Sequence, residues 1–63
     1  MNELQAQIRA KSTQASQLSS EATLAFRAKN FNTGKRLMAQ AVAASIDCQR
    51  LIQEYTELEA MAN

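Results

Sequence analysis

The segment Lys29-Asn30-Phe31-Asn32-Thr33-Gly34 contains the only glycine of a chain that has no proline. Asparagine, threonine and glycine are frequent in turns, and here they fall together near the middle of the 63 residues. Asn30 suits the left-handed conformation that ends a helix, and this register brings Phe31 against Phe26. Asn32 is then the residue expected to cap the next helix. The segment predicts a turn that connects two helices.

The two halves on either side of this turn have the composition of helices. Residues that favour strands are few, and alanine, glutamine, leucine and glutamate are common. We predict an all-α fold with helices over residues 3–29 and 33–61. Residues 12–23 are rich in serine and threonine and would form a poor helix alone. This stretch is either a linker or a helix that depends on packing, and the helix is favoured because apolar residues keep their spacing through it.

Small and apolar residues recur in both halves at alternating spacings of three and four, which is the pattern of a heptad seam. In the second half the seam is Leu37, Ala41, Ala44, Cys48, Leu51, Tyr55, Leu58 and Ala62, and in the first half it is Leu4, Ile8, Lys11, Ala15, Leu18, Ala22 and Ala25. Lys11 is the charged exception, and its aliphatic stem can pack while the ammonium group reaches water. The two seams predict that the helices pack against each other along their length.

The register of this antiparallel hairpin follows from the residue numbers, since facing residues should have a nearly constant sum. Sums of 62 or 63 keep both seams in step, from Ala25 opposite Leu37 to Leu4 opposite Leu58. The sequence therefore predicts one helical hairpin domain over residues 1–63.

A chain this short usually needs a further source of stability, because a single core of this size supplies only about 3–5 kcal/mol of net folding free energy. Two helices that touch along one line leave one side of each seam uncovered. Further apolar residues flank the seam at Leu24, Phe26, Met38, Val42 and Ile52. Covering them with a second copy would give a homodimeric four-helix bundle; the alternative is that they are scattered surface residues. The predicted hairpin and dimer core is Leu4, Ile8, Leu18, Phe26, Leu37, Met38, Ala41, Ala44, Cys48, Leu51, Ile52, Tyr55 and Leu58.

The residue types argue against an enzyme. The sequence has no histidine, the commonest general base, and Cys48 is its only cysteine. A lone thiol in a seam position is more often a small buried side chain than a nucleophile. We predict no catalytic residue, no cofactor and no metal site. No apolar run reaches the roughly 20 residues that cross a bilayer, so we expect no membrane segment and a cytoplasmic location.

The charges are separated along the hairpin although the formal net charge is only +1. Arg27, Lys29, Lys35 and Arg36 surround the turn, and Glu3, Glu54, Glu57 and Glu59 gather at the opposite end. In an antiparallel dimer each basic turn would lie beside acidic ends, although two independently solvated ends are an equal alternative. The same cations, with Phe31 among them, also suit contact with nucleic-acid phosphates and stacking on a base.

A two-helix chain of this length with a heptad seam resembles the Rop-type RNA-binding hairpins of plasmid copy control, and also the small helical co-chaperones of type III secretion systems. The resemblance lies in the architecture, and no motif carries functional residues of either family onto this sequence. We expect a small homodimeric interaction or adaptor protein that contacts an unidentified protein partner. The alternative is a Rop-like RNA- or DNA-binding regulator that uses the basic turn.

Overall fold

The computed structural model describes residues 3–62, which form two helices. Helix α1 is Glu3–Arg27 and helix α2 is Phe31–Ala62. They pack against each other as a hairpin whose Cα atoms extend over 51 × 17 × 11 Å. This confirms the predicted all-α hairpin. Residues 12–23 lie within α1, so the packed-helix interpretation of that stretch is correct.

The turn is tighter than predicted, because α1 ends two residues before residue 29 and α2 begins two residues before residue 33. The N–H of Lys29 donates to the carbonyl of Phe26 at 3.0 Å, and the N–H of Asn30 donates to that of Ala25 at 2.8 Å. These two bonds are the Schellman arrangement, with the left-handed residue at position 29. Lys29 indeed has a φ of 64°. The prediction that Asn30 is the left-handed residue was wrong by one position.

Asn30 instead precedes the first residue of α2. Its carbonyl accepts the N–H of Gly34 at 3.0 Å, which is the first hydrogen bond of that helix. This is the position of an N-cap, so the assignment of the cap to Asn32 was also wrong. Asn30 therefore takes part in both helix ends. Its N–H donates to the last turn of α1, and its carbonyl accepts the first hydrogen bond of α2.

Gly34 lies within α2 and is buried between the helices. A Cβ built on Gly34 would come within 2.8–2.9 Å of three atoms of the Phe26 ring. Real Cβ atoms do not approach this closely, so the ring occupies the space that any other residue would fill. The sequence pattern indicated a glycine of the turn, but the structure makes it a packing site for Phe26.

The interface between the helices is formed by the two seams. Of the described residues only Ala22, Gly34, Ala41 and Ala44 are buried, and no large side chain is fully buried. The larger seam residues, including Leu18 and Leu51, are half-buried. Leu58 keeps 54% of its surface exposed. The part of the hairpin that the structure describes thus has an alanine-lined contact and no enclosed core.

The polar contacts between the helices define their register. Gln5 Nε2 donates to Tyr55 Oη at 2.8 Å, and Lys11 Nζ lies 3.5 Å from Asp47 Oδ2. These pairs have sums of 60 and 58, below the predicted 62 or 63. The predicted register was therefore wrong by about one seam step.

Both contacts are consistent with a register in which the numbers of facing residues sum to 59. In this register the seams still face each other, but each seam residue faces a different residue of the other helix. This register places Leu18 opposite Ala41 and Ala15 opposite Ala44. The periodic seam permits both registers, because a slide of three or four residues moves each seam residue to the place of its neighbour. The short turn selects the lower sum, since a connection of three residues leaves Arg27 and Phe31 as the last and first helical residues.

Candidate functional site

Large apolar side chains remain exposed along one side of α2. Phe31, Met38 and Ile52 are 56%, 37% and 46% exposed, and Val42 is 52% exposed. Phe31, Met38 and Ile52 share one face because they occupy equivalent positions of a seven-residue repeat, with Ser45 at the position between the last two. This stripe runs beside the seam over most of the length of α2.

A shallow groove lies between this stripe and α1. Helix α1 contributes only small residues to it, and the buried Ala41 forms its floor. The groove is lined by Ala15, Ser16, Ser19, Met38, Ala41, Val42 and Ser45. We call this side of the hairpin, with the stripe of α2 included, the groove face. Small residues on one helix and larger apolar ones on the other give it a stepped surface.

The opposite side of the hairpin is polar. Its surface depression is lined by Gln7, Lys11, Asp47, Arg50 and Leu51. The ion pair of Lys11 with Asp47 lies here, with the two side chains 38% and 45% exposed. This pair explains how a lysine is accommodated in the seam, because its ammonium group leaves the interface toward the carboxylate. We call this side the charged face.

The turn end of the molecule, which we call the tip, carries the predicted basic residues. Arg27, Lys29, Lys35 and Arg36 are all exposed, and none forms an ion pair within residues 3–62. The Phe31 ring packs against Phe26 with centroids 6.3 Å apart and planes at 44°. The predicted contact of these two aromatic rings is therefore present, and it still leaves more than half of Phe31 accessible.

The far end of α2 extends beyond α1. Helix α2 has 32 residues and α1 has 25, and with a residue sum of 59 the first described residue of α1, Glu3, lies level with position 56. Leu58 and Met61 are accordingly 54% and 81% exposed. Glu57 and Glu59 lie in the same segment. We call residues 57–62 the overhang.

No family model, curated protein or solved structure matches this chain.

Two seam side chains with reactive or polar groups are engaged between the helices. The Cys48 thiol donates to the carbonyl oxygen of Ile8 at an Sγ to O distance of 3.6 Å, and the Tyr55 hydroxyl accepts the bond from Gln5. Both side chains are half-buried. Among residues 3–62 no group of three histidine, cysteine, aspartate or glutamate side chains is arranged to hold a metal ion. Neither described helix is sufficiently long and apolar to cross a bilayer.

The groove was not predicted as a single feature. Met38, Val42 and Ile52 were identified from the sequence as residues beside the seam, but Ser16, Ser19 and Ser45 were not connected with them. The spacing of α1 did indicate that Ser19 lies on this side of the hairpin. Ser19 and Phe26 are seven residues apart, so they share one side of α1, and the Phe26 ring packs toward Gly34 of α2. The ion pair of Lys11 could not be predicted because it depends on the register.

Proposed function

We propose that the protein is a small helical interaction protein that self-associates through its groove face and presents its remaining surface to a protein partner. The observation that supports this proposal is the stripe of exposed apolar side chains on a hairpin in which none of the large side chains of residues 3–62 is fully buried. A contiguous apolar surface of this kind is typical of protein contact sites. The charged face, with Lys11, Asp47 and Arg50, then remains outside the assembly for a second protein.

The surface area of the chain supports the need for a partner. The accessible surface is 4860 Å². A compact monomer of 7.0 kDa has about 4000 Å² by the usual scaling of area with mass. The excess, about 800 Å², is close to what each partner buries in a standard protein interface. A face of 51 Å by 17 Å is large enough to supply that area.

The chain contains a matched pair of isoleucines for testing this proposal. Ile52 belongs to the stripe of the groove face and is 46% exposed, whereas Ile46 is 50% exposed. Six residues separate them, so at 100° per residue Ile46 points about 120° away from Ile52 around the helix. Ile52→Asp and Ile46→Asp therefore introduce the same charge at similarly exposed positions on different sides of α2.

We expect Ile52→Asp to raise the dissociation constant of the homodimer at least about tenfold, because it buries an unpaired carboxylate in each copy. Ile46→Asp should change it by less than about threefold. The measurement is sedimentation equilibrium over a range of concentrations, with helicity from circular dichroism as the control for folding. Equal effects of the two substitutions would contradict self-association through the groove face.

The tip supports a second candidate function, the binding of RNA or DNA. The observation in its favour is that Phe31 stays 56% exposed beside four exposed cations. An accessible aromatic ring among cations can stack on a base while the charges contact phosphates. The proposed regulator would use Arg27, Lys29, Phe31, Lys35 and Arg36.

A binding assay across a salt series tests this second function. Replacing Lys35 and Arg36 together with alanine should weaken binding and reduce its dependence on salt, because fewer counterions are released. The control is Arg50→Ala, which removes one cation from the charged face, away from the tip. Absence of binding at low salt, or an equal loss with the control, excludes the tip as a nucleic-acid site.

A further inference from the structure

We infer that the occupant of the groove face is a second copy in a defined antiparallel arrangement, with α2 packed on α2 and Ser45 at the two-fold axis. This inference rests on the proposed self-association and specifies its geometry. It follows from two features of the described residues: the opposite charges of the two ends and the spacing of the stripe.

The ends of the hairpin distinguish the two ways of laying one groove face on another. If the tips pointed the same way, four exposed cations of one copy would lie beside four of the other. With opposite orientations each tip lies beside an acidic end, and Lys35 comes within about one helical turn of Glu59 of the second copy. Like charges that are close together repel, and complementary ones fix orientation more than they add affinity. The charges therefore favour the antiparallel arrangement.

The length and spacing of α2 set the register. Two α2 helices overlap fully when facing residues have numbers that sum to 93, because the helix is Phe31–Ala62. The equivalent positions 31, 38, 45, 52 and 59 align with one another at a sum of 90, within one turn of full overlap. Met38 then faces Ile52 of the second copy, and Ser45 faces itself. A small residue at the axis allows the two helices to approach closely.

The α1 helices fit this arrangement. Within each hairpin the numbers of facing residues sum to 59, and between the two α2 helices they sum to 90. It follows that the numbers of facing residues of the two α1 helices sum to 28. Ser12 then lies opposite Ser16 of the second copy, so that short hydroxyl side chains face each other. These side chains fill little space, which leaves the helices free to approach.

Cysteine cross-linking tests this geometry directly. In a Cys48→Ala background, which removes the native thiol, Ser45→Cys should form a disulfide-linked dimer under mild oxidation, because the two α-carbons near the axis can reach the 4.4–6.8 Å that a disulfide spans. Ile46→Cys in the same background is the control and should stay largely unlinked. Non-reducing electrophoresis measures the linked fraction, and circular dichroism of the Cys48→Ala chain verifies folding.

A mixed experiment tests the register independently of the axis. Met38→Cys alone and Ile52→Cys alone should each link poorly, because each lies seven residues from Ser45 and the two copies of either residue would be about 21 Å apart along the axis. An equal mixture of the two, allowed to exchange subunits, should give the linked heterodimer. Efficient linking in the mixture and at Ser45 supports the antiparallel register.

The outcomes separate this inference from the proposed function. A dimer by sedimentation in which Ser45→Cys links no better than Ile46→Cys, and the mixture no better than its components, overturns the arrangement but leaves self-association intact. A monomer by sedimentation overturns both. Strong linking of Met38→Cys to itself would indicate a different axis and also contradict the inference.

Discussion

The contact of Phe26 with Gly34 provides a prediction whose sign depends on the structure. A Cβ at position 34 would lie 2.8–2.9 Å from three ring atoms of Phe26. Replacing a helical glycine with alanine normally stabilises a protein by up to about 1 kcal/mol. Here the added methyl group must displace the ring, and overpacking of this kind costs about 1–3 kcal/mol. We therefore expect Gly34→Ala to lower the free energy of unfolding by about 1 kcal/mol.

The same substitution should have the opposite sign when the ring is absent. In a Phe26→Ala background the space above Gly34 is open, so the usual gain of up to about 1 kcal/mol should appear. The two backgrounds together give a coupling energy of about 2 kcal/mol between positions 26 and 34. No contact with a second copy is needed for this effect, so it tests the hairpin alone.

Urea unfolding followed by circular dichroism measures both changes. With a slope of about 1 kcal/mol/M, the midpoint of Gly34→Ala should fall by about 1 M in the natural background and rise in the Phe26→Ala background. All four chains must be compared at one protein concentration, because association shifts apparent stability. A stabilising Gly34→Ala in both backgrounds would show that the ring does not occupy that space.

Three further tests address other parts of the structure, the first two by the same unfolding assay and the third by sedimentation equilibrium. Lys29→Gly should stabilise the chain by about 1 kcal/mol, since a φ of 64° is strained for a residue with a Cβ; a loss of stability would contradict the left-handed turn. Lys11→Leu should stabilise the seam more than Asp47→Asn destabilises it, because a partly exposed ion pair contributes only about 0–1 kcal/mol. Lys35→Glu and Glu59→Lys should each weaken dimerisation and together restore it, and an additive loss in the double variant would argue against the antiparallel ends.

Much of the fold could be predicted because helix content and seam spacing are local properties of the sequence. The alternation of three and four residues identified which side of each helix packs, and the seam residues of both helices are indeed the less exposed ones, apart from the end of α2. The position of the turn was predicted to within two residues. Asn30 was predicted to be the left-handed residue, a position that Lys29 occupies instead. The error arose because asparagine suits both the left-handed position and the N-cap, and Asn30 is the N-cap of α2.

The register could not be predicted because a repeating seam matches itself at more than one alignment. The registers in which facing residue numbers sum to 62 or to 59 both bring seam residues opposite seam residues. The length of the turn determines which register forms. The candidate groove depends in turn on this register, since Ser19 and Met38 approach one another only when the helices are aligned. The individual residues of the groove were visible in the sequence, but their association was not.

We propose that a second copy covers the apolar side chains that the single hairpin leaves exposed. Sedimentation equilibrium of the unmodified chain measures this association. We expect a mass twice the chain's 7.0 kDa at micromolar concentration, with helicity lost as dilution dissociates the dimer. A fully helical species of 7.0 kDa at the same concentration would contradict the claim.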